Sequence, residues 1–524
     1  MAYSARTGLH NQNERQRMID KSKRRYQHLF DTEHIKNDLK NKSLQSAFNS
    51  LAGESITFFL RIGSTAILAR LLMPEQFGLI GMVFAITGFI TLFTDLGLSD
   101  ATIQNKEISH EQISALFWIN VGVGAIFMVL VAGVSPLISW FYGDDRLTGI
   151  SILLSSCFLL SGLTVQHQAL LNRQMRFFKL ALIRVISILI SSFIGIYLAW
   201  RGFEYWALVW KEVATVFFIA LGTWLMCRWW PGLPKRGVGV GPMLRFGRNI
   251  TGFNIVDYFA ISMDAILLGR YWGPGPLGLY TKASQLMTLP MKQIRFPLTR
   301  VAVPALSSLQ QDPDKYKKYF SKLISILSFA YMPLVTYIGF FSENFILLIL
   351  GSNWIEAAPI FRVLALTAFI RPVVTTCDVV LVSLGKTRRY FRWGLINAVC
   401  LISAFSIGVH WGPLGIAAAY AIATYTNLWP SLWYRLRGTP VTISQFLKSI
   451  SLPVSSSALT GLLLVPISRI ISPLTNLEQI VVSFFSTLIV YLGIWWFLPG
   501  GKRKLIEYLG YAFAAFKSVS FIRE

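Results

Sequence analysis

The chain has 524 residues, 54% of them hydrophobic and 14% charged, with a net charge of +24 and a mean hydropathy of +0.52. Soluble domains carry about 25% charged residues, so this composition excludes an ordinary soluble protein and indicates one that lives in a bilayer. In that setting the excess of Lys and Arg, including the run Arg388-Arg389-Tyr390-Phe391-Arg392, reads as cytoplasmic loops and membrane-surface anchors rather than as a nucleic-acid footprint.

Residues 1–45 are polar and basic and contain no apolar h-region, so they read as a partly helical cytoplasmic arm and not as a cleaved signal peptide. Beyond them, an apolar stretch of about 20 residues is enough to cross roughly 30 Å of hydrocarbon. Fourteen such stretches follow, near 46–70, 77–98, 113–139, 147–170, 179–199, 204–227, 249–271, 278–304, 320–349, 358–384, 390–410, 413–434, 446–470 and 477–499. The eighth carries Lys282, Lys292, Arg295, Arg300 and two prolines, so it is read as bent, broken or cavity-facing. The predicted fold class is all-α and polytopic, with about 14 transmembrane helices. Its predicted parts are a six-helix lobe over 46–228, a cytoplasmic linker over 229–248 and a second six-helix lobe over 249–434. Two appended helices over 435–499 and a basic cytoplasmic tail over 500–524 complete it.

Loop charges orient the chain. Loops after even-numbered stretches hold Lys106, then Arg173 and Arg176, then Arg228, Lys235 and Arg236, then Lys315, Lys317 and Lys318. The pattern continues with Lys386, Arg388 and Arg389, with Arg435, Arg437 and Lys448, and with Lys502, Arg503 and Lys504 in the tail. The alternate loops, such as 142–146 and 351–354, are short and poor in cations, which places both termini in the cytoplasm.

One segment occurs twice. Residues 67–79 and 267–279 share Leu68, Arg70, Pro74, Gly78 and Leu79 with Leu268, Arg270, Pro274, Gly278 and Leu279. Five identities in thirteen positions exceed the roughly one that composition would give. The copies join helices one to two and seven to eight, an even offset that predicts a parallel repeat and two lobes lining a cavity. Arg70 and Arg270 precede proline at the outer ends of their helices and read as C-terminal dipole partners, part of the scaffold.

Charges inside membrane spans cost about 2.5–3.5 kcal/mol each at a helix centre on insertion scales, so they face partners or water. Helix one carries Glu54 and Arg61 on one face, and helix seven carries Asp257 and Asp264 at the same spacing; Arg184, Lys211, Glu212, Lys282, Arg295, Arg362, Arg371 and Asp378 complete the set. Lys211 with Glu212 and Arg371 with Asp378 read equally as local ion pairs. As a group these residues describe a cationic, water-filled cavity suited to an anionic head group such as a diphosphate. The candidate substrate-binding residues are Arg61, Arg184, Lys282 and Arg295, and the candidate ion-coupling acids are Glu54, Asp257 and Asp264. No catalytic residue, metal ligand set or cofactor is predicted: six His residues and four Cys residues are scattered without metal spacing, and no phosphate loop or nucleophile elbow occurs.

Several segments carry a family resemblance. Residues 95–109 (DLGLSDATIQNKEIS), 117–120 (FWIN), 170–177 (LLNRQMRF) and 203–209 (FEYWALV) resemble landmarks of bacterial polysaccharide exporters. So do 304–310 (PALSSLQ), 351–359 (GSNWIEAAP) and 412–417 (GPLGIA). Together they resemble the Wzx-type oligosaccharide flippases, the colanic-acid and teichuronic-acid exporter branch of the multidrug/oligosaccharidyl-lipid/polysaccharide superfamily. The resemblance covers roughly residues 46–450. It implies two six-helix lobes around a V-shaped cavity and alternating access. It also implies export of polyprenyl-diphosphate-linked oligosaccharide across the bacterial inner membrane, alongside polymerase and export partners. The family's motifs are structural landmarks and transfer no defined binding site, and the long basic arm departs from the family's short start. Two other readings stay open: a cation-coupled multidrug-type exporter, which would give drug sensitivity with normal glycan export on deletion, and a membrane-integral glycan polymerase, whose loss would leave translocation intact.

Overall fold

The computed structural model describes residues 39–88, 99, 102–103, 108–234, 258–508 and 510, and among them it holds helices and turns but no strand. Helices are the expected solution, because a backbone in hydrocarbon must satisfy its own hydrogen bonds within the segment. In chain order they are α1 Leu39–Leu71, α2 Pro74–Thr87, α3 His110–Tyr142, α4 Arg146–Gly162, α5 Val165–Arg173, α6 Phe177–Trp200 and α7 Tyr205–Cys227. Next come α8 over 258–272, then α9 Pro274–Ser308, α10 Pro313–Phe340, α11 Ser342–Ile349, α12 Ala357–Thr375 and α13 Asp378–Ser383. The last are α14 Thr387–Gly408, α15 Gly412–Thr426, α16 Leu428–Leu436, α17 Ile443–Ile471 and α18 Asn476–Phe497. Each of the fourteen predicted stretches overlaps a helix. Among the described residues nine helical stretches are long and apolar enough to cross a membrane. The protein is an all-α, multi-pass membrane protein.

Local sequence fixes the ends. Ser109 and Gln112 form a capping box that starts α3, and Gly143 closes it in the left-handed region at φ 74°. Thr442 with Gln445 and Thr475 with Glu478 start α17 and α18 in the same way. The Asp312 carboxylate accepts from the Lys315 N–H, and Pro313 occupies the first position of α10.

Four predicted helices are each divided in two. Pro372, which has no N–H to give Ala368, precedes the break between α12 and α13, and Pro430 follows the break at Asn427 between α15 and α16. The breaks at 163–164 and at Phe341 have no such proline beside them. The eighth predicted stretch is one continuous helix of 35 residues, α9, and not a broken one.

The chain forms two compact units. The described residues of one fall within Met1–Leu72 and Met82–Phe259, and those of the other within Met73–Gly81 and Ala260–Glu524. In the first, α6 packs on α1 and α7, and α3 packs on α4. One end of it is clasped by aromatic rings: His167 stacks on Trp224 at 4.4 Å, and the Trp229 indole N–H donates to His110 Nδ1 at 3.2 Å. In the second unit a core of Phe320, Ile324, Met332, Val373 and Phe446 joins α10, α12 and α17.

The duplicated segment explains itself inside the second unit. A Cβ on Gly78 would strike the carbonyl oxygen of Pro274, and a Cβ on Gly278 would strike that of Pro74. The starts of α2 and α9 therefore cross backbone to backbone, each copy supplying a proline carbonyl to the glycine of the other. The shared leucines are core residues: Leu68, Leu79, Leu268 and Leu279 are all buried. Arg70 and Arg270 are exposed.

Candidate functional site

The membrane-embedded charges cluster in the first unit and are dispersed in the second. In the first, close packing sets the geometry. Gly53 lies against the Ala181 Cβ, where any side chain would collide, and this brings Glu54 of α1 beside Arg184 of α6. The two form an ion pair whose side chains remain about half exposed, at 51% and 46%. Arg61, two turns further along α1, is exposed. The Lys211 stem lies over Gly195, whose added Cβ would sit 2.9 Å from the lysine Cβ, and Lys211 is within electrostatic range of Glu212 and Arg61. The group thus holds one acid–base pair and further cations on an accessible face.

In the second unit Asp264 is held from two sides. Tyr280 donates its hydroxyl to Oδ2 at 2.8 Å, and the Ala265 N–H donates to Oδ1 at 2.6 Å. Arg371, whose guanidinium stacks over the Tyr420 ring at 4.9 Å, acts on the same carboxylate electrostatically. Lys282 rests over the Phe77 ring at 4.5 Å and donates to Gln285 Oε1 at 3.0 Å. Arg295 donates to the Thr375 carbonyl at 3.3 Å, while its Nε is buried without a hydrogen-bond partner. Thirteen residues separate Lys282 from Arg295 along α9, a rise of about 20 Å, so these two cations form no single pocket.

Arg435 departs from the sequence reading. It reads as a loop cation, yet its side chain is only 7% exposed and pairs with Asp378 at 2.9 Å. It also donates to Ser431 and to the Val374 carbonyl and sits 5.4 Å from the Trp393 ring centre. The arginine of this pair is buried and the carboxylate about one-fifth exposed, and together they tie α16 to α13. Between it and Arg371 lies a polar hollow of about 60 Å³ bounded by Tyr420, Asn397 and Asn427. It is polar and roomy enough to hold water.

Of the predicted site residues, the structure brings Glu54 and Arg184 together and leaves Arg61, Lys282, Arg295 and Asp264 at separate positions. Asp257 and Asp95 lie outside the described residues. Tyr280 was not foreseen, although it is one visible difference between the copies: it follows Leu279 where Ile80 follows Leu79. Among the described residues no group of three or more His, Cys, Asp or Glu is placed to hold a metal.

Residues 67–359 match the family described as polysaccharide biosynthesis protein. The chain belongs to that family. Its curated relatives in this family include the lipopolysaccharide biosynthesis protein WzxC of Escherichia coli, 26% identical over 428 residues, covering 79% of this chain and 85% of that one. The teichuronic acid biosynthesis protein TuaB of Bacillus subtilis is 27% identical over 386 residues, with 72% and 79% covered. The succinoglycan biosynthesis transport protein ExoT of Rhizobium meliloti is 24% identical over 404 residues, with 76% and 82% covered. Among solved structures, the lipid II flippase MurJ in an inward closed conformation superposes with a TM-score of 0.70 at 15% identity, over 88% of this chain and 100% of that one. An inward-facing multidrug resistance transporter superposes at 0.56 and 16% identity, over 75% and 96%. The chain therefore shares the fold of these two solved structures.

Proposed function

We propose that the protein is a flippase that carries polyprenyl-diphosphate-linked oligosaccharide across the bacterial inner membrane, for exopolysaccharide or capsule synthesis, by alternating access. Family membership over residues 67–359, with relatives named for lipopolysaccharide, teichuronic acid and succinoglycan synthesis, carries this reading. It acts as a transporter and not as an enzyme. The exposed cations of the first unit, Arg61 and Arg184, are suited to the diphosphate: a guanidinium offers forked donors to phosphate oxygens. Because Arg184 already pairs with Glu54, arrival of the head group would exchange one anion for another and free the Glu54 carboxylate for a cation or proton. Asp264, poised by Tyr280, is the corresponding coupling acid in the second unit. Lys282 and Arg295, too far apart along α9 to hold one head group together, are successive contacts on its path. Both termini are cytoplasmic, as the loop charges require.

The test is a leaflet-resolved assay of lipid-linked glycan in cells carrying wild type or Arg61→Ala. The proposal expects glycan to accumulate on the cytoplasmic side in the deletion strain, and Arg61→Ala to restore export poorly. Unchanged sidedness in the deletion strain would overturn the function; unchanged sidedness in Arg61→Ala alone would overturn the site.

A further inference from the structure

The second unit contains a cleft of about 770 Å³, within the roughly 300–1,000 Å³ of small-molecule sites, walled by α10, α12 and α17. Of the membrane charges singled out in the sequence only Arg362 lines it, and none of the candidate head-group or ion-coupling residues does. Its depth is read along α17, where Ser457 and Ser468 both line the wall eleven residues apart. That separation is a rise of about 16 Å, or half of the roughly 30 Å hydrocarbon core. The cleft is one leaflet deep.

Its two ends differ in chemistry. Away from the mouth the lining is mostly apolar, with Leu366, Phe369 and the exposed Ala458 beside the hydroxyls of Thr336 and Ser457. The mouth carries Arg362 and Glu343, paired at 2.9 Å with their side chains 54% and 61% exposed. Asn344 ties the mouth together, donating to Asn476 Oδ1 at 2.8 Å and to Gln479 Oε1 at 2.6 Å. A single-chain amphiphile fits this shape, with a head group at the ion pair and a chain down the groove. The mouth has one cation beside one anion, so it offers no net attraction to an anionic head. It complements a head that itself bears both charges. An ion pair this exposed is weak, so opening it to exchange partners costs little.

We propose that this cleft binds a zwitterionic phospholipid, its phosphate on Arg362, its ammonium on Glu343 and one acyl chain along α17. The site is separate from the transport groups, and its occupant is membrane lipid rather than cargo.

The test is native mass spectrometry of the full-length protein, purified in detergent and offered phosphatidylethanolamine, phosphatidylglycerol or undecaprenyl phosphate in turn. Phosphatidylethanolamine should be retained about tenfold better than the other two, and Arg362→Gln or Glu343→Gln should each lower its retention about tenfold. Ala458→Phe, at an exposed position that leaves the mouth intact, should reduce retention by filling the groove. Equal or better retention of phosphatidylglycerol would overturn the zwitterion assignment, and preference for undecaprenyl phosphate would make the cleft a carrier site instead. Phosphatidylethanolamine retention unchanged in all three variants would remove the site. No glycan is present in this measurement, so its failure leaves the transport proposal standing, and the converse holds.

Discussion

Arg435 and Asp378 show how far a charge's meaning depends on its surroundings. The arginine is buried and the carboxylate about one-fifth exposed, so losing the carboxylate would strand a guanidinium away from water. Asp378→Asn should therefore cost about 3–5 kcal/mol, while replacing both members with apolar residues of similar volume should recover most of that loss. Thermal melting of the purified variants checks both outcomes. Glu54 and Arg184 are the opposite case. Their side chains are about half exposed, so Arg184→Gln should change stability by no more than about 1 kcal/mol. If Arg184 meets the head group, the same variant should lose most glycan export. Melting and leaflet assays on one preparation separate these effects; a large drop in melting temperature would assign Arg184 to the scaffold. Sequence alone made Glu54 and Arg184 candidates, because each is a charge inside an apolar stretch. It could not pair them, since 130 residues separate them and only the Gly53–Ala181 approach joins their helices. Arg435 was misread for a related reason: it sits at the edge of an apolar run, where a snorkelling side chain and a buried one look alike.

Helix existence and capping were legible from local chemistry, and helix breaks only in part. Pro372 and Pro430 mark two of the four divisions, but the other two follow from packing that has no local signature. The duplicated segment was legible as a repeat, and its contact was not. The crossing at Gly78 and Gly278 gives a sharp test. Because an added Cβ would meet backbone carbonyl at either position, Gly78→Ala or Gly278→Ala should each cost about 1–3 kcal/mol or more. Gly63→Ala, with open space around it, should be close to neutral. Comparative melting of the three variants checks the ranking, and equal melting temperatures would remove the close crossing. Capping adds a pH effect at the start of α10. Hydrogen bonds from Lys315, first from its backbone N–H and then from its side chain, hold the Asp312 carboxyl below its usual range. The cap is therefore present above the ordinary carboxylate pKa of about 4 and is lost as pH falls through the lowered value. The protection of the Lys315 and Tyr316 amides, measured as exchange relative to the unstructured rate at the same pH, should fall in acid in wild type. Asp312→Asn, which still caps but does not titrate, should abolish that dependence.

At the scale of the whole molecule, the loop charges supplied an orientation, and contacts within the second unit agree with the sorting behind it. Lys386 and Arg389 of one cation-rich turn donate to the backbone carbonyls of Gly438 and Arg437 in another. Asn344 and Asn476, which flank two cation-poor turns, meet each other. Turns that the charge pattern assigns to one side thus lie together in space. What composition could not supply is the position of any cavity, because that depends on which helix faces are left uncovered after packing. The sidedness itself is a strong and separate expectation. A cysteine at Ser352, exposed in a cation-poor turn, should react with a membrane-impermeant maleimide in spheroplasts. One at Arg388, exposed beside a cation-rich turn, should react only after permeabilisation. The four native cysteines are buried or partly buried and give a low background. Labelling of Arg388→Cys but not Ser352→Cys in sealed cells would invert the topology. It would place the cations of this +24 chain on the side where the positive-inside rule forbids them.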